Sequence, residues 1–439
     1  MIETQKPHIY LVGAGGVGMV WIADYALQMG WDVSGSDASF SPNVARLQAL
    51  GANIHIGSDP EKIPTTVTEA VMTAAATPNS PSFAEVETLR NRGISIVKRS
   101  EWIGKLTREK FTICISGAHG KTTTTAMVGW ILDQAGLDPT VFVGGNIRAW
   151  NNTTKIGQSK YLVLEADEYD RSFHRFTPQM AVILNIDLDH TDYYTKGLPE
   201  IEQSYKRFLR NLPGKTGLVV AYGRDARIRK VCKSFSYKFR WYDEFHLWPG
   251  VTVPQPGLHN LLNATAAARI AHELGISHDL IKKALNSFPG VGRRFEYLGI
   301  WNKAELYDDY AHHPREIQAL MKGVREKFPT EHVTVIFQPH QKARTQALLK
   351  DFARAFDDPA PTELVLAPIF HVPGREDDID VTIDDVAKEI ETGKHSFKLT
   401  TLHTLDEVGE YVKEVSKVSG VIINVGAGSI SNLLEKWRQ

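Results

Sequence analysis

Six short apolar runs, each passing into a glycine- or acid-bearing turn and then a longer amphipathic stretch, constrain this chain more than any other feature. They are HIYLVGAGG at 8–16, FTICISGAHG at 111–120, YLVLEAD at 161–167, VTVIFQPH at 333–340, ELVLAPIF at 363–370 and GVIINVGAGS at 420–429. That alternation predicts an α/β architecture with largely parallel sheets. Ligands of such sheets gather outside the carboxyl ends of the strands. At 439 residues the chain exceeds what one hydrophobic core organises. Three domains are expected: residues 1–106, residues 107–291 and residues 292–439, the last boundary falling where Pro289, Gly290 and Gly292 interrupt a helical pattern. A formal net charge of -1 gives no general reason to bind nucleic acid or an anionic membrane. Nowhere do about 18 apolar residues run together, so no membrane insertion is expected, and the first residues lack a secretory leader pattern. Cys114 and Cys232 are too few for a disulfide framework, which fits a reducing cytoplasm.

The first turn, GAGGVGM at 13–19, follows a strand and precedes a helix. Gly13, Gly15 and Gly18 match G-x-G-x-x-G, and with Gly16 and Val17 they offer a tight turn and backbone N–H groups to a pyrophosphate. Ser36 and Asp37, at the end of the next strand, are placed to reach a ribose hydroxyl. Taken alone, the pattern fits a nicotinamide-dependent oxidoreductase, but another diphosphate would suit the same cradle.

The second turn, SGAHGKTTTT at 116–125, is a phosphate loop one step away from the usual spacing, with Ile115 where the first glycine of G-x-x-x-x-G-K-[ST] would stand. Backbone N–H groups of Gly117, Ala118, His119 and Gly120 can converge on phosphate oxygens, Lys121 can neutralise terminal phosphates, and Thr122 and Thr123 open the helix. ATP is the expected ligand, with the Thr122 hydroxyl on Mg2+, which Mn2+ can replace. Two further strands end in Glu165 and, beyond 181–186, in His190. A carboxylate oxygen suits magnesium well and an imidazole less so.

GAGGVGM, SGAHGKTTTT, EADEYDRSF, DHTDYY, GLHNLLNA at 257–264, GVGRRFE at 290–296, DDYAHHP at 308–314 and FQPH at 337–340 occur in the order seen in the Mur ligases, and on these motifs the whole chain resembles that family. The resemblance implies an N-terminal Rossmann-like UDP-binding domain, a central P-loop ATPase-like domain and a C-terminal Rossmann-like domain. It implies an ATP-dependent ligase of peptidoglycan precursor synthesis that joins L-alanine to the lactyl carboxylate of UDP-N-acetylmuramate, as a monomer or homodimer. Lys121 and Thr122 match the family's ATP-binding residues, and Glu165 and His190 its metal ligands. His259, Asn260, Asn263, Arg294 and Asp309 match positions about the nucleotide, and Tyr310, His312 and Arg344 positions about the amino acid. His312 would orient the amine or take its proton. The glycine turn would then hold the diphosphate of the UDP-sugar. One departure concerns the acceptor: after FQPH the family usually has arginine where this chain has Gln341, retaining only Arg344 of a pair. Two alternatives follow, a sibling ligase that adds a murein tripeptide and the nicotinamide oxidoreductase.

Overall fold

The computed structural model describes residues 6–189, 193–371, 379–418 and 420–433. Its strands form three sheets. The first, with β1 (His8–Val12), β2 (Asp32–Asp37), β3 (Asn53–Ile56), β4 (Glu69–Met72) and β5 (Ser95–Lys98), is parallel throughout in the order β3-β2-β1-β4-β5. Helices α1 (Val17–Gln28), α2 (Pro42–Ala49), α3 (Phe83–Asn91) and α4 (Arg99–Glu109) cover it. The central β1 reads HIYLV and is buried along its whole length, as a parallel strand covered on both faces must be.

The second sheet holds β6 (Phe111–Ser116), β7 (Thr140–Ile147), β8 (Asn152–Lys155), β9 (Tyr161–Glu165), β10 (Met180–Ile183), β11 (Leu218–Tyr222) and β12 (Lys238–Tyr242). Its order is β12-β11-β10-β6-β9-β7-β8, parallel except for the β7–β8 pair. The helices of this stretch are α5 (Lys121–Gln134), α6 (Leu198–Leu209), α7 (Ala226–Cys232), α8 (Leu258–Glu273) and α9 (His278–Asn286). The third sheet comprises β13 (Glu296–Trp301), β14 (Ala304–Asp309), β15 (Val333–Phe337), β16 (Glu363–Leu366), β17 (Lys398–Thr401) and β18 (Gly420–Val425). It runs β13-β14-β18-β15-β16-β17, antiparallel only at β13–β14. With it go α10 (Pro314–Lys327), α11 (Lys342–Ala347), α12 (Leu349–Arg354), α13 (Ile383–Glu391) and α14 (Leu405–Val415). The α/β class and the parallel sheets expected from the six apolar runs are present.

The chain packs as two compact units, Met1–His246 with Thr265–Ala284, and Leu247–Ala264 with Leu285–Gln439. The first unit carries two sheets because α1 belongs to both. Trp21 on α1 stacks on Phe142 of β7 at 5.5 Å between ring centroids, and its indole N–H donates to the Val143 carbonyl at 3.0 Å. Asp24, one turn on, accepts from Arg46 at 2.8 Å and from Asn152 and Thr154 of β8. The second unit is built around β18, flanked by β14 and β15. Its Ile423 is fully buried among Val335, Phe337 and Leu364. Ile423→Ala removes three side-chain carbons whose packing the sheet cannot refill. It should cost about 2–5 kcal/mol, read as a lower urea midpoint for the second unit with the first unit's transition unmoved.

Candidate functional site

Within the first unit, the phosphate loop joins β6 to α5 through two glycines that other residues could not replace. Gly117 has φ 144° and Gly120, the helix N-cap, φ 85°. A side chain on Gly117 would also lie 3.0 Å from Leu184 and 3.2 Å from the Asn185 backbone nitrogen. Asn185 holds the loop from both sides, accepting the His119 backbone N–H and donating to the His119 carbonyl, each at 2.9 Å. Thr123, Thr124 and Thr125 are buried inside α5, so of the four threonines Thr122 alone stands at the mouth of the loop.

Lys121 folds back over its own loop. Its Nζ donates to the Gly117 carbonyl at 2.6 Å and to Glu168 at 3.1 Å, with Asp167 at 3.8 Å. Burial disfavours its charge, but Glu168 and Asp167, with Glu165 beyond, outweigh that and hold its pKa above the ordinary lysine range. Glu165, the last residue of β9, accepts the Gly144 backbone N–H and hydrogen-bonds Thr122. Burial raises its pKa, opposed by the Gly144 bond, Lys121 and Thr122. A side chain on Gly144 would sit 3.0 Å from the Glu165 Oε1. A carboxylate and a hydroxyl within hydrogen-bond reach of each other are hard oxygen donors, which fit magnesium. His190 lies outside the described residues.

The glycine turn closes on side chains that the sequence had offered to the ligand. Gly13 and Ala14 donate to the Ser36 carbonyl at 2.9 Å. The Ser36 hydroxyl is buried against Glu85. Asp37, read from the sequence as a ribose acceptor, binds the Gly15 N–H at 2.7 Å and the Ser39 N–H at 3.2 Å. Both therefore shape the turn. Gly16 caps α1, and no side chain caps that helix among the described residues; the Met19 N–H closes on the Gly16 carbonyl at 2.8 Å, so the N–H groups of Val17 and Gly18 are the ones a helix start offers to an anion. Beside Val17 and Gly18 a cavity of about 170 Å³ runs to Glu165 and Asp167, walled by Trp21, Ile103 and Phe176. Arg99 also lines it. That residue was missed in the sequence. The signal that could have found it is local: Lys98 and Arg99 open α4, where the helix dipole disfavours cations.

Within the second unit the remaining residues form two neighbouring groups. Asn260 donates to the Pro256 carbonyl at 2.8 Å, and both Asn260 and Asn263 are buried. The His259 ring lies where a side chain on Gly257 would be, 2.8 Å away. Burial and then Arg294 lower its pKa to about 4, with Glu316 opposing. Asp309 accepts the backbone N–H groups of Phe295 at 2.7 Å and Ala311 at 2.8 Å, and burial raises its pKa against the pull of Arg294. Arg294 sits over the Tyr310 ring at 5.2 Å and Arg293 at 4.9 Å. His312 Nδ1 lies 3.0 Å from the Tyr310 carbonyl and 3.5 Å from Glu316 Oε2, so a proton on Nδ1 is the one these acceptors engage. His313 instead caps α10, its Nδ1 accepting the Arg315 N–H at 3.3 Å. His340 stacks on Phe370 at 5.2 Å, meets the His312 ring at 6.0 Å and approaches Arg344 at 3.4 Å. Gln341 adopts φ 73° and places its carbonyl on the Thr345 hydroxyl at 2.8 Å.

A strand, a glycine-bordered loop and a helix that begins with lysine make this a phosphate-loop protein, with two further α/β sheets attached. Comparison with known proteins narrows the class. Residues 8–111 match the Mur ligase family catalytic domain, residues 115–244 the Mur ligase middle domain, and residues 293–428 the Mur ligase glutamate ligase domain. The chain is 35% identical over 453 residues to a UDP-N-acetylmuramate–L-alanine ligase of Trichlorobacter lovleyi, covering 96% of each. It is 33% identical over 466 residues to the enzyme of that name from Aquifex aeolicus, covering 100% of this chain and 98% of the relative. Among solved structures, a UDP-N-acetylmuramate–alanine ligase of Thermotoga maritima superposes with a TM-score of 0.79 at 25% identity, covering 98% of both chains. A murein peptide ligase of Psychrobacter arcticus shares the fold, with a TM-score of 0.72 at 20% identity and the same coverage. The chain belongs to the Mur ligase family.

The half-buried His259, whose charge is disfavoured in the folded chain, carries a pH dependence. An unfolded histidine titrates near 6.5 and the folded one near 4, so the unfolded chain binds the extra proton in between. The contribution is complete above about pH 6.5 and is lost as pH falls toward about 4. His259→Gln should flatten that part of the slope when urea midpoints are measured across the window.

Proposed function

We propose that this protein joins L-alanine to the lactyl carboxylate of UDP-N-acetylmuramate at the expense of ATP, through an acyl phosphate, in peptidoglycan precursor synthesis. The observation that carries the reading is that Glu165, which hydrogen-bonds Thr122 of the phosphate loop and lies within the field of Lys121, lines one cavity together with Val17 and Gly18 of the glycine turn. Full-length relatives bearing that enzyme's name support the choice of substrates. The oxidoreductase alternative has no comparable support, because those relatives are ligases and Asp37 is engaged by Gly15.

A carboxylate is a poor acylating agent, since its leaving group would be oxide. Transfer of the γ-phosphoryl group of ATP to the lactyl oxygen releases ADP and makes phosphate the leaving group. The amine of L-alanine then attacks the carbonyl carbon, loses a proton and expels phosphate. The loop N–H groups from Gly117 to Gly120 cradle the phosphates, and Lys121 exchanges Glu168 and Asp167 for the transferring group. Thr122 and Glu165, with His190, are proposed to hold Mg2+ or Mn2+, which supplies charge neutralisation between the phosphoryl group and the attacking carboxylate. Gly13, Gly15, Gly16, Val17 and Gly18 hold the UDP-sugar diphosphate at the start of α1, with Ser36 and Asp37 fixing the turn. His259, Asn260, Asn263, Arg294 and Asp309 are assigned to the nucleotide. Tyr310, His312 and Arg344 are assigned to the amino acid, with His312 as the group that takes the amine's proton or orients it. The domain limits we propose are 1–106, 107–291 and 292–439, with the nucleotide residues His259, Asn260 and Asn263 in the second and Arg294 and Asp309 in the third. No described helix is long and apolar enough to cross a membrane, and we place the enzyme in the cytoplasm as a monomer or homodimer.

Magnesium-dependent ADP release should require both UDP-N-acetylmuramate and L-alanine. Lys121→Ala should lower its kcat/KM by about 100- to 1,000-fold or more, with the fold retained by circular dichroism. Loss of no more than about threefold would remove Lys121 from the reaction. Glycine, L-serine and the murein tripeptide tested as acceptors decide whether Gln341 has changed the amino acid taken.

A further inference from the structure

Arg99 is the one feature of the first unit's cavity that the assignments above leave without a task. It is half-buried, lines the cavity and forms no ion pair or hydrogen bond with another described residue. Its side chain lies across Gly18, where an added Cβ would be 2.1 Å from Nη1 and 2.6 Å from Cδ. The third glycine of the fingerprint therefore makes room for a guanidinium. Local sequence does not favour a cation at this place. Lys98 is the N-cap of α4 and Arg99 its first residue, both at the positive end of the helix dipole, and only Glu101, bonded to the Lys98 N–H at 3.1 Å, offsets them. A residue that breaks a local rule without structural return marks a functional site.

The surroundings select the ligand. The cavity lining combines one cation, Arg99, with two carboxylates, Glu165 and Asp167, and the apolar rings of Trp21 and Phe176. A group seated there must be anionic toward Arg99 and small in charge, because two carboxylates face it. It must also lie next to the loop that delivers a phosphoryl group. A diphosphate is instead served by the N–H groups of Val17 and Gly18 at the start of α1, which no side chain caps among the described residues. A planar carboxylate matches the guanidinium fork in geometry as well as charge.

We propose that Arg99 binds the reacting lactyl carboxylate and is the residue by which the protein distinguishes a muramyl nucleotide from the corresponding nucleotide sugar without the acid. The assignment rests on the function proposed above and adds the residue that reads the substrate's acid.

The test is calorimetric binding of two ligands to the full-length protein, UDP-N-acetylmuramate and UDP-N-acetylglucosamine, which share uridine, diphosphate and sugar but differ in the lactyl acid. Arg99→Met should weaken the muramyl ligand by about 10- to 100-fold, the size expected of a charge-assisted pair, and leave the glucosamine ligand within about twofold, so that the preference collapses. Unchanged glucosamine binding also shows that the variant is folded. Arg99→Lys, which keeps the charge and loses the fork, should fall between, and it raises KM for the muramyl nucleotide while KM for ATP stays put. An unchanged preference in both variants overturns the proposal. So does an equal loss for both ligands, which would assign Arg99 to the diphosphate. Failure of the wild-type protein to bind the muramyl ligand would instead overturn the function on which the proposal rests.

Discussion

A lysine ammonium held among carboxylates organises the site on which the rest of this structure depends. An isolated buried charge costs several kcal/mol in desolvation, and Lys121 is tolerated because Glu168 and Asp167 face it and the Gly117 carbonyl accepts from it. The carboxylates in turn would repel one another without the lysine. Each half of the cluster makes the other affordable, and together they keep the loop shaped for a polyanion. An incoming phosphate competes with Glu168 for the ammonium, so binding exchanges one set of charge contacts for another and creates no new buried charge. The cavity beside it continues the pattern, with Glu165, Asp167 and Arg99 all in its lining.

That arrangement depends on the way α1 is shared by two sheets. Trp21 packs on Phe142, and Asp24 reaches Asn152 and Thr154, so the glycine turn is held in one body with Glu165 and the phosphate loop. A substrate long enough to keep its diphosphate at the start of α1 can therefore present its acid at the loop without relative movement of those elements. The glycines mark where backbone or side chain must come close: Gly144 against Glu165, Gly117 against Asn185 and Gly18 against Arg99.

Most of the frame was legible in the sequence because its signals are local. Apolar β-branched runs gave β1, β6, β9, β15, β16 and β18, and the start of α5 falls at Lys121 as the turn chemistry required. What could not be read depends on contacts between distant segments. Asp37 looks like a ribose acceptor by spacing, but its oxygens are drawn to the Gly15 and Ser39 N–H groups. Arg99 stands out in KRSEW only as a second cation at the start of α4, and its place across Gly18 appears once α1 is laid beside it. The two histidines of YAHHP look alike in sequence, and only the capping box separates His313, which starts α10, from His312, whose ring turns to His340. Gln341, where the family usually has arginine, is defined mainly by its backbone: a left-handed φ of 73° that starts α11. Arg344 remains beside His340 at 3.4 Å.

The central claim is that the phosphate loop delivers its phosphoryl group to a carboxylate in the neighbouring cavity. Isotope tracing tests it most directly. UDP-N-acetylmuramate carrying oxygen-18 in its lactyl carboxylate is turned over with ATP, Mg2+ and L-alanine, and the released inorganic phosphate is analysed by mass. The account predicts one labelled oxygen in the phosphate for each amide formed; phosphate free of label, with ADP produced at the same rate, would contradict it.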